Sequence, residues 1–130
     1  MPVRIDQSTD PVQFIFADEP EYCHALNRNN IAKYISKGLW IVYYCAQWSI
    51  PDLSGVETAL GLAKSLNGAA QLGICAFDDF ADIAERHTEV TERYVSPLWV
   101  VSRDGAVLGW LSGLGVCDTI RDIIHKETSY

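Results

Sequence analysis

The chain has 130 residues, 48% of them hydrophobic and 21% charged, which is the balance of one globular domain and excludes a disordered segment. Asp plus Glu number 17 against 10 Lys plus Arg, for a formal charge of −7. Nucleic acid is therefore not an expected partner, because phosphate binding needs a basic face, and neither is an anionic membrane surface.

A chain of this length buries roughly two-thirds of its unfolded surface and needs no staples. The apolar stretches at 39–46 and 69–77 are strand-sized, so no membrane-spanning helix is expected. Residues 1–16 lack a basic start, a long apolar run and a small-residue cleavage site, which makes the cytoplasm the expected compartment. Cys23, Cys45, Cys75 and Cys117 are widely spaced, with no two-residue gap of a zinc or redox motif. In a reducing compartment a disulfide framework is not expected.

No internal repeat or low-complexity tract interrupts the chain. Residues 1–10 and 127–130 read as loose ends, leaving a single domain with its core at about 12–126. Residues 12–16 read as a strand. Residues 21–37 read as a helix with Tyr22, Leu26, Ile31, Tyr34 and Ile35 inward, the asparagine-rich stretch 27–30 as its weak point and Gly38 as its stop. Residues 39–46 are almost continuously apolar and rich in β-branched and aromatic side chains, the pattern of a central strand buried on both faces. A turn at 47–51 leads into a helix over 52–66, with Val56, Ala59, Leu60, Ala63 and Leu66 at helical spacing. Asn67-Gly68 ends that helix.

Residues 69–77 read as a second buried strand and 78–87 as a helix extending towards Glu92. Residues 98–102 and 106–111 read as strands joined by Arg103-Asp104-Gly105, since an Asp-Gly pair between apolar runs signals a hairpin. A last helix covers 117–125 with Ile120, Ile123 and Ile124 inward. The order β-α-β-α-β-α-β-β-α implies parallel pairing through right-handed crossovers, with an antiparallel hairpin at one edge. The expected class is α/β, a central mixed sheet with helices on both faces.

That order, closing in a hairpin and a helix, resembles the thioredoxin fold. The buried strand runs into Ala46-Gln47-Trp48-Ser49-Ile50-Pro51-Asp52, which is similar to that family's strand, Trp and Cys-Gly-Pro-Cys loop. Ser96-Pro97 stands before the penultimate strand, where the family places a cis-proline. Arg103-Asp104-Gly105 matches its hairpin turn and Gly113 the glycine after its last strand. The resemblance covers about 12–126.

The departures bear on function. Where the family carries its two thiols, this chain has Ser49 and Asp52; a hydroxyl and a carboxylate do not exchange with a disulfide. Asp52 falls at the start of a helix, where a carboxylate suits the dipole. Tyr43 stands at the position of the family's buried, proton-handling aspartate. The resemblance thus implies a redox-inactive member. Its peptide groove would run between Trp48, Ser49, Ile50, Pro51 and Asp52 on one side and Ser96, Pro97, Gly113 and Leu114 on the other, with a partner strand pairing beside the proline. Trp48, Ile50, Leu53 and Leu114 would supply the apolar anchors. The ordinary alternative is that these residues only close the end of the sheet.

Other features read more plainly. Cys45 and Cys75 lie in apolar strands and read as small buried hydrophobes. Cys23 and Cys117 fall on predicted helices. Cys117, near a helix start, is the one candidate reactive thiol, although Asp118 adjoins it and no basic neighbour is evident. His24, His87 and His125 are scattered without a second ligand at helical spacing, so no metal site is expected. Gly109, Gly113 and Gly115 form no phosphate loop. Asp78, Asp79, Asp82, Glu85, Glu89 and Glu92 make an acidic stretch that reads as a solvated helix face, or else as a docking surface for a basic segment.

The leading expectation is a chaperone, adaptor or assembly factor that binds a protein or peptide partner, with a basic segment suited to the acidic surface. It implies no cofactor and no catalytic residue. The alternatives are a thiol-disulfide oxidoreductase that uses a non-standard cysteine or has lost its nucleophile at Ser49, and a structural subunit of a larger complex. The oligomeric state is open.

Overall fold

The structure is a computed structural model that describes residues 3–6, 8, 13–16, 22–46, 49–76, 97–113 and 115–128. The predicted helix at 78–87, the acidic stretch and His87 lie outside these residues.

Five strands form the central sheet in the order β3-β5-β4-β6-β7. They are β3 (Cys23–Leu26), β4 (Leu39–Cys45), β5 (Gln71–Ala76), β6 (Leu98–Arg103) and β7 (Ala106–Ser112). Among the described residues the helices are α1 (Ile31–Ile35), α2 (Ile50–Ser65) and α3 (Cys117–Thr128). The sheet is mixed: β3, β5 and β4 are parallel neighbours, while β6 runs antiparallel to β4 and β7 to β6. From β3 onward the described elements follow β-α-β-α-β up to residue 76, then β-β-α from residue 98.

The start of the chain departs from the sequence reading. Residues 13–16 do form a strand, β2 (Gln13–Phe16), but it pairs with β1 (Val3–Asp6) in a separate two-stranded sheet. Residues 3–6 are therefore not a loose end. Val-Arg-Ile-Asp alternates apolar and charged residues, the period of a strand, which a polar count over ten positions averages away. The helix expected at 21–37 is instead β3, a turn and the short α1. Asn27 Oδ1 accepts from the amides of Asn29 at 2.8 Å and Asn30 at 3.1 Å, and Asn30 Oδ1 accepts from the Asn27 amide at 2.7 Å. These side chains bond a turn and not a helix interior. Ahead of that turn, Cys23–Leu26 gains parallel pairing with Leu72–Cys75, a non-local bond that outweighs local helical spacing. Tyr34 is consequently 41% exposed and not a core residue. Residues 127 and 128 continue α3, tied by Arg103 to Glu127 at 2.9 Å.

Helices cover both faces. On one, Val56, Ala59, Leu62 and Ala63 of α2 and Ile120 and Ile124 of α3 pack against Ile41, Tyr43, Ile74, Trp99 and Val101. On the other, Ile31 of α1 joins Leu26, Trp40, Val42, Tyr44, Leu98 and Val100. The β6–β7 turn is tight because Asp104 and Gly105 both take positive φ, 51° and 85°, the combination that matches strand twist in a two-residue hairpin. Among the described residues no helix is long and apolar enough to cross a membrane.

Two substitutions test this packing with opposite signs. A Cβ on Gly73 would collide with Leu26 Cδ1 and stand 2.9 Å from Leu26 Cγ, and Leu26 is itself buried. Gly73→Ala is expected to destabilise by about 1–3 kcal/mol, the usual range for overpacking. Ser102 is 1% exposed and its hydroxyl has no hydrogen-bond partner among the described residues. Ser102→Ala is expected to be as stable as the parent or up to about 1 kcal/mol more stable, because it removes an unpaired buried group. Urea unfolding midpoints read both.

Candidate functional site

The site lies at the end of the sheet where β4 and β5 finish and β6 begins. Tyr44 is opposite Leu98 in the β4–β6 ladder, and Leu98 is opposite Ser112 in the β6–β7 ladder. This register places the residues after Cys45, Pro97 before β6, and Gly113 after β7 on three adjacent strands at one end. The Gly113 amide donates to the Pro97 carbonyl at 3.0 Å, closing the last two together. Gly113 has φ +95°, a conformation that favours glycine. Ser49, Ile50, Pro51, Asp52, Pro97 and Gly113 are thus gathered at one end as the sequence reading requires. Trp48, Ser96 and Leu114 lie outside the described residues.

Ser49 is the N-cap residue of α2, with extended backbone, and Pro51 stands in the first turn. A proline is tolerated there because its missing N–H is one of the unpaired donors of a helix start. The cap carries no side-chain hydrogen bond to a backbone amide of the helix. Instead Ser49 Oγ is 3.3 Å from Asp52 Oδ1, and the Ser49 amide donates to the Ala46 carbonyl at 3.0 Å. Ile50 points outward at 75% exposure, and Pro51 beside it is also exposed.

Asp52 sits differently from a first-turn residue that only faces the helix dipole. It is 2% exposed. Its Oδ2 accepts from the Ala46 amide at 2.8 Å, and its backbone carbonyl accepts from the Tyr43 hydroxyl at 2.6 Å. The carboxylate therefore faces inward and holds the end of β4. Burial of a carboxylate is tolerated only with such partners. Tyr43, completely buried, lies directly opposite Trp99 in the β4–β6 register, with ring centroids 4.6 Å apart. The Trp99 indole N–H donates to the Gly113 carbonyl at 2.7 Å. Sequence reasoning missed Trp99 altogether. No local signal carries it, because its relation to Tyr43 is set by strand register.

Burial raises the Tyr43 phenol above its ordinary range, and the Cys45 and Asp52 charges add to the effect. Cys45 is pushed up to about 12, first by burial and then by the Asp52 charge. Cys23 is fully buried in β3, not on an exposed helix, and Cys75 is fully buried in β5. Cys117, the first residue of α3, is half-buried. Burial also raises its pKa; Arg121, which does supply a basic neighbour, lowers it, and Asp118 raises it. His24 is likewise not on a helix surface: it sits in β3, 3.2 Å from Gln71 Oε1 and packed against Tyr34 and Trp40. Among the described residues no three His, Cys, Asp or Glu side chains are grouped to hold a metal.

No protein-family model matches the chain, and no curated protein sequence matches it either. Solved structures do. A thioredoxin from Fasciola hepatica is 22% identical, with a TM-score of 0.62 over 79% of this chain and 97% of that one. A point-mutant thioredoxin from Halobacterium salinarum is 17% identical, with a TM-score of 0.65 over 86% and 96%. The oxidised thioredoxin from Plasmodium falciparum is 17% identical, with a TM-score of 0.63 over 81% and 97%. The chain has a thioredoxin-like fold, and at these identities the likeness is one of fold. At the two positions that the sequence resemblance matches to motif thiols stand Ser49 and the buried Asp52.

The raised pKa values fix a sign. The fold keeps a proton on Cys45 up to about 12, whereas the unfolded chain releases it near 9. Stability from this source is present below about pH 9 and is lost as pH rises towards 12. Urea midpoints are expected to fall above pH 9, with a shallower fall in Cys45→Ala. At pH 8 a thiol reagent should reach Cys117 in the folded protein, and Cys23, Cys45 and Cys75 only on unfolding.

Proposed function

We propose that the chain acts by binding and not by thiol-disulfide exchange. In this reading the end of the sheet that carries Ile50, Pro51, Pro97 and Gly113 holds an extended segment of a partner protein, as a chaperone, adaptor or assembly factor would. The observation that carries the proposal is the contrast within one helical turn. The Asp52 carboxylate is held inward by the Ala46 amide and its main-chain carbonyl by the Tyr43 hydroxyl, while Ile50 stands 75% exposed.

A buried carboxylate in place of a resolving thiol leaves no route for an intramolecular disulfide at this position. A large apolar side chain held in water at a helix start is a candidate anchor for a partner. The recognition set proposed here also includes Trp48, Ser96 and Leu114, which adjoin these residues in sequence. An extended segment laid beside Pro97 would gain main-chain hydrogen bonds and place alternate side chains against Ile50. The net charge of −7 favours a partner with a basic segment, mainly through faster encounter at low salt.

Affinity capture from native lysate tests this by comparing the wild type with Ile50→Asp. Because Ile50 is exposed, the variant is expected to fold as the parent does. A specific partner retained by the wild type and lost by Ile50→Asp is the expected result. An unchanged partner list overturns the assignment of this surface. In parallel, insulin reduction should stay at background. Turnover that disappears in Cys117→Ser would replace the binding reading with thiol chemistry at Cys117.

A further inference from the structure

Two buried rings stand between the two walls of this end of the sheet. Tyr43 on β4 and Trp99 on β6 face each other across the antiparallel ladder, both at 0% exposure. Their planes meet at 63°, the edge-on arrangement that aromatic quadrupoles favour. Each ring sends its polar atom to a different wall. The Tyr43 hydroxyl bonds the Asp52 carbonyl at 2.6 Å, and Asp52 Oδ2 in turn holds the Ala46 amide. The Trp99 indole N–H bonds the Gly113 carbonyl at 2.7 Å, and the Gly113 amide in turn bonds Pro97. A continuous path, buried except at the half-buried Gly113, therefore runs Ala46–Asp52–Tyr43–Trp99–Gly113–Pro97.

We infer that Tyr43 and Trp99 are positioning residues that couple the two walls, so that the Ala46–Asp52 contact and the Pro97–Gly113 bridge open and close together. The physical reason is that neither ring can shift alone. Displacing either one leaves a buried polar atom without its partner and breaks close packing against the other ring. This rests on the binding reading for its purpose. A partner segment that touches both walls would meet them at a preset spacing, and less ordering would then oppose binding.

Amide hydrogen exchange followed by NMR on the full chain tests the coupling. Tyr43→Phe deletes one oxygen and keeps the ring. Exchange at the Ala46 amide, on the Tyr43 side, is expected to rise about fivefold, the net worth of one hydrogen bond. A rise of similar size is expected at the Gly113 amide and the Trp99 indole N–H, on the far side. Trp99→Phe is expected to speed exchange at Ala46 reciprocally; should it fail to fold, Tyr43→Phe decides alone. Gly73→Ala, which loosens the opposite face of the sheet, controls for general loosening. The inference is overturned if Tyr43→Phe leaves Gly113 and the Trp99 indole at wild-type rates, or if the far-wall rise only matches that of the control at equal global stability. The measurement needs no partner. Failure of Ile50→Asp to abolish capture removes the binding reading without touching the coupling, and unchanged far-wall exchange removes the coupling without touching the binding reading.

Discussion

Burial of β4 on both faces is the constraint on which the rest of the structure depends. Every residue of that strand except Leu39 is buried. Alternate side chains serve different layers: Ile41, Tyr43 and Cys45 meet α2 and α3, while Trp40, Val42 and Tyr44 meet the layer that holds α1. A strand flanked by β5 and β6 has both backbone edges paired as well. Its C-terminal end is consequently fixed in space, and whatever follows it is presented from a rigid base.

A polar group cannot lie at such an end without compensation. Taking a carboxylate out of water is costly unless hydrogen bonds replace its hydration. Asp52 meets this condition with the Ala46 amide, and the neighbouring Tyr43 hydroxyl is satisfied by the Asp52 main-chain carbonyl. The same charge, together with burial, keeps the Cys45 thiol protonated far above neutral pH. One carboxylate thus ties the helix start to the strand end and suppresses the nearest cysteine. A thiol at this place would do neither.

The outer side of the same turn has the opposite character. Ile50 and Pro51 face water, at the start of α2, and the Pro97–Gly113 bridge spans the next two strands beyond β4. An inward-held carboxylate and an outward apolar side chain thus stand within a few residues of each other.

The sequence by itself determined the strong elements. The apolar run at 39–46, the helical spacing of Val56, Ala59 and Ala63, the Asp-Gly hairpin and the final helix are all local patterns, and local physics decides them. The gathering of Ser49, Ile50, Pro51, Asp52, Pro97 and Gly113 was legible too, through the resemblance that ordered those landmarks along the chain. Tertiary structure decided the rest. Residues 23–26 are a strand because β5 pairs with them, and residues 3–6 because β2 does; each gain comes from a partner distant in sequence. The Asp52 carboxylate turns inward because the Ala46 amide awaits it there, and the Tyr43 hydroxyl takes the Asp52 main-chain carbonyl. Trp99 meets Tyr43 because the register of two antiparallel strands opposes them, and register is a property of the pairing, which no single segment of sequence contains.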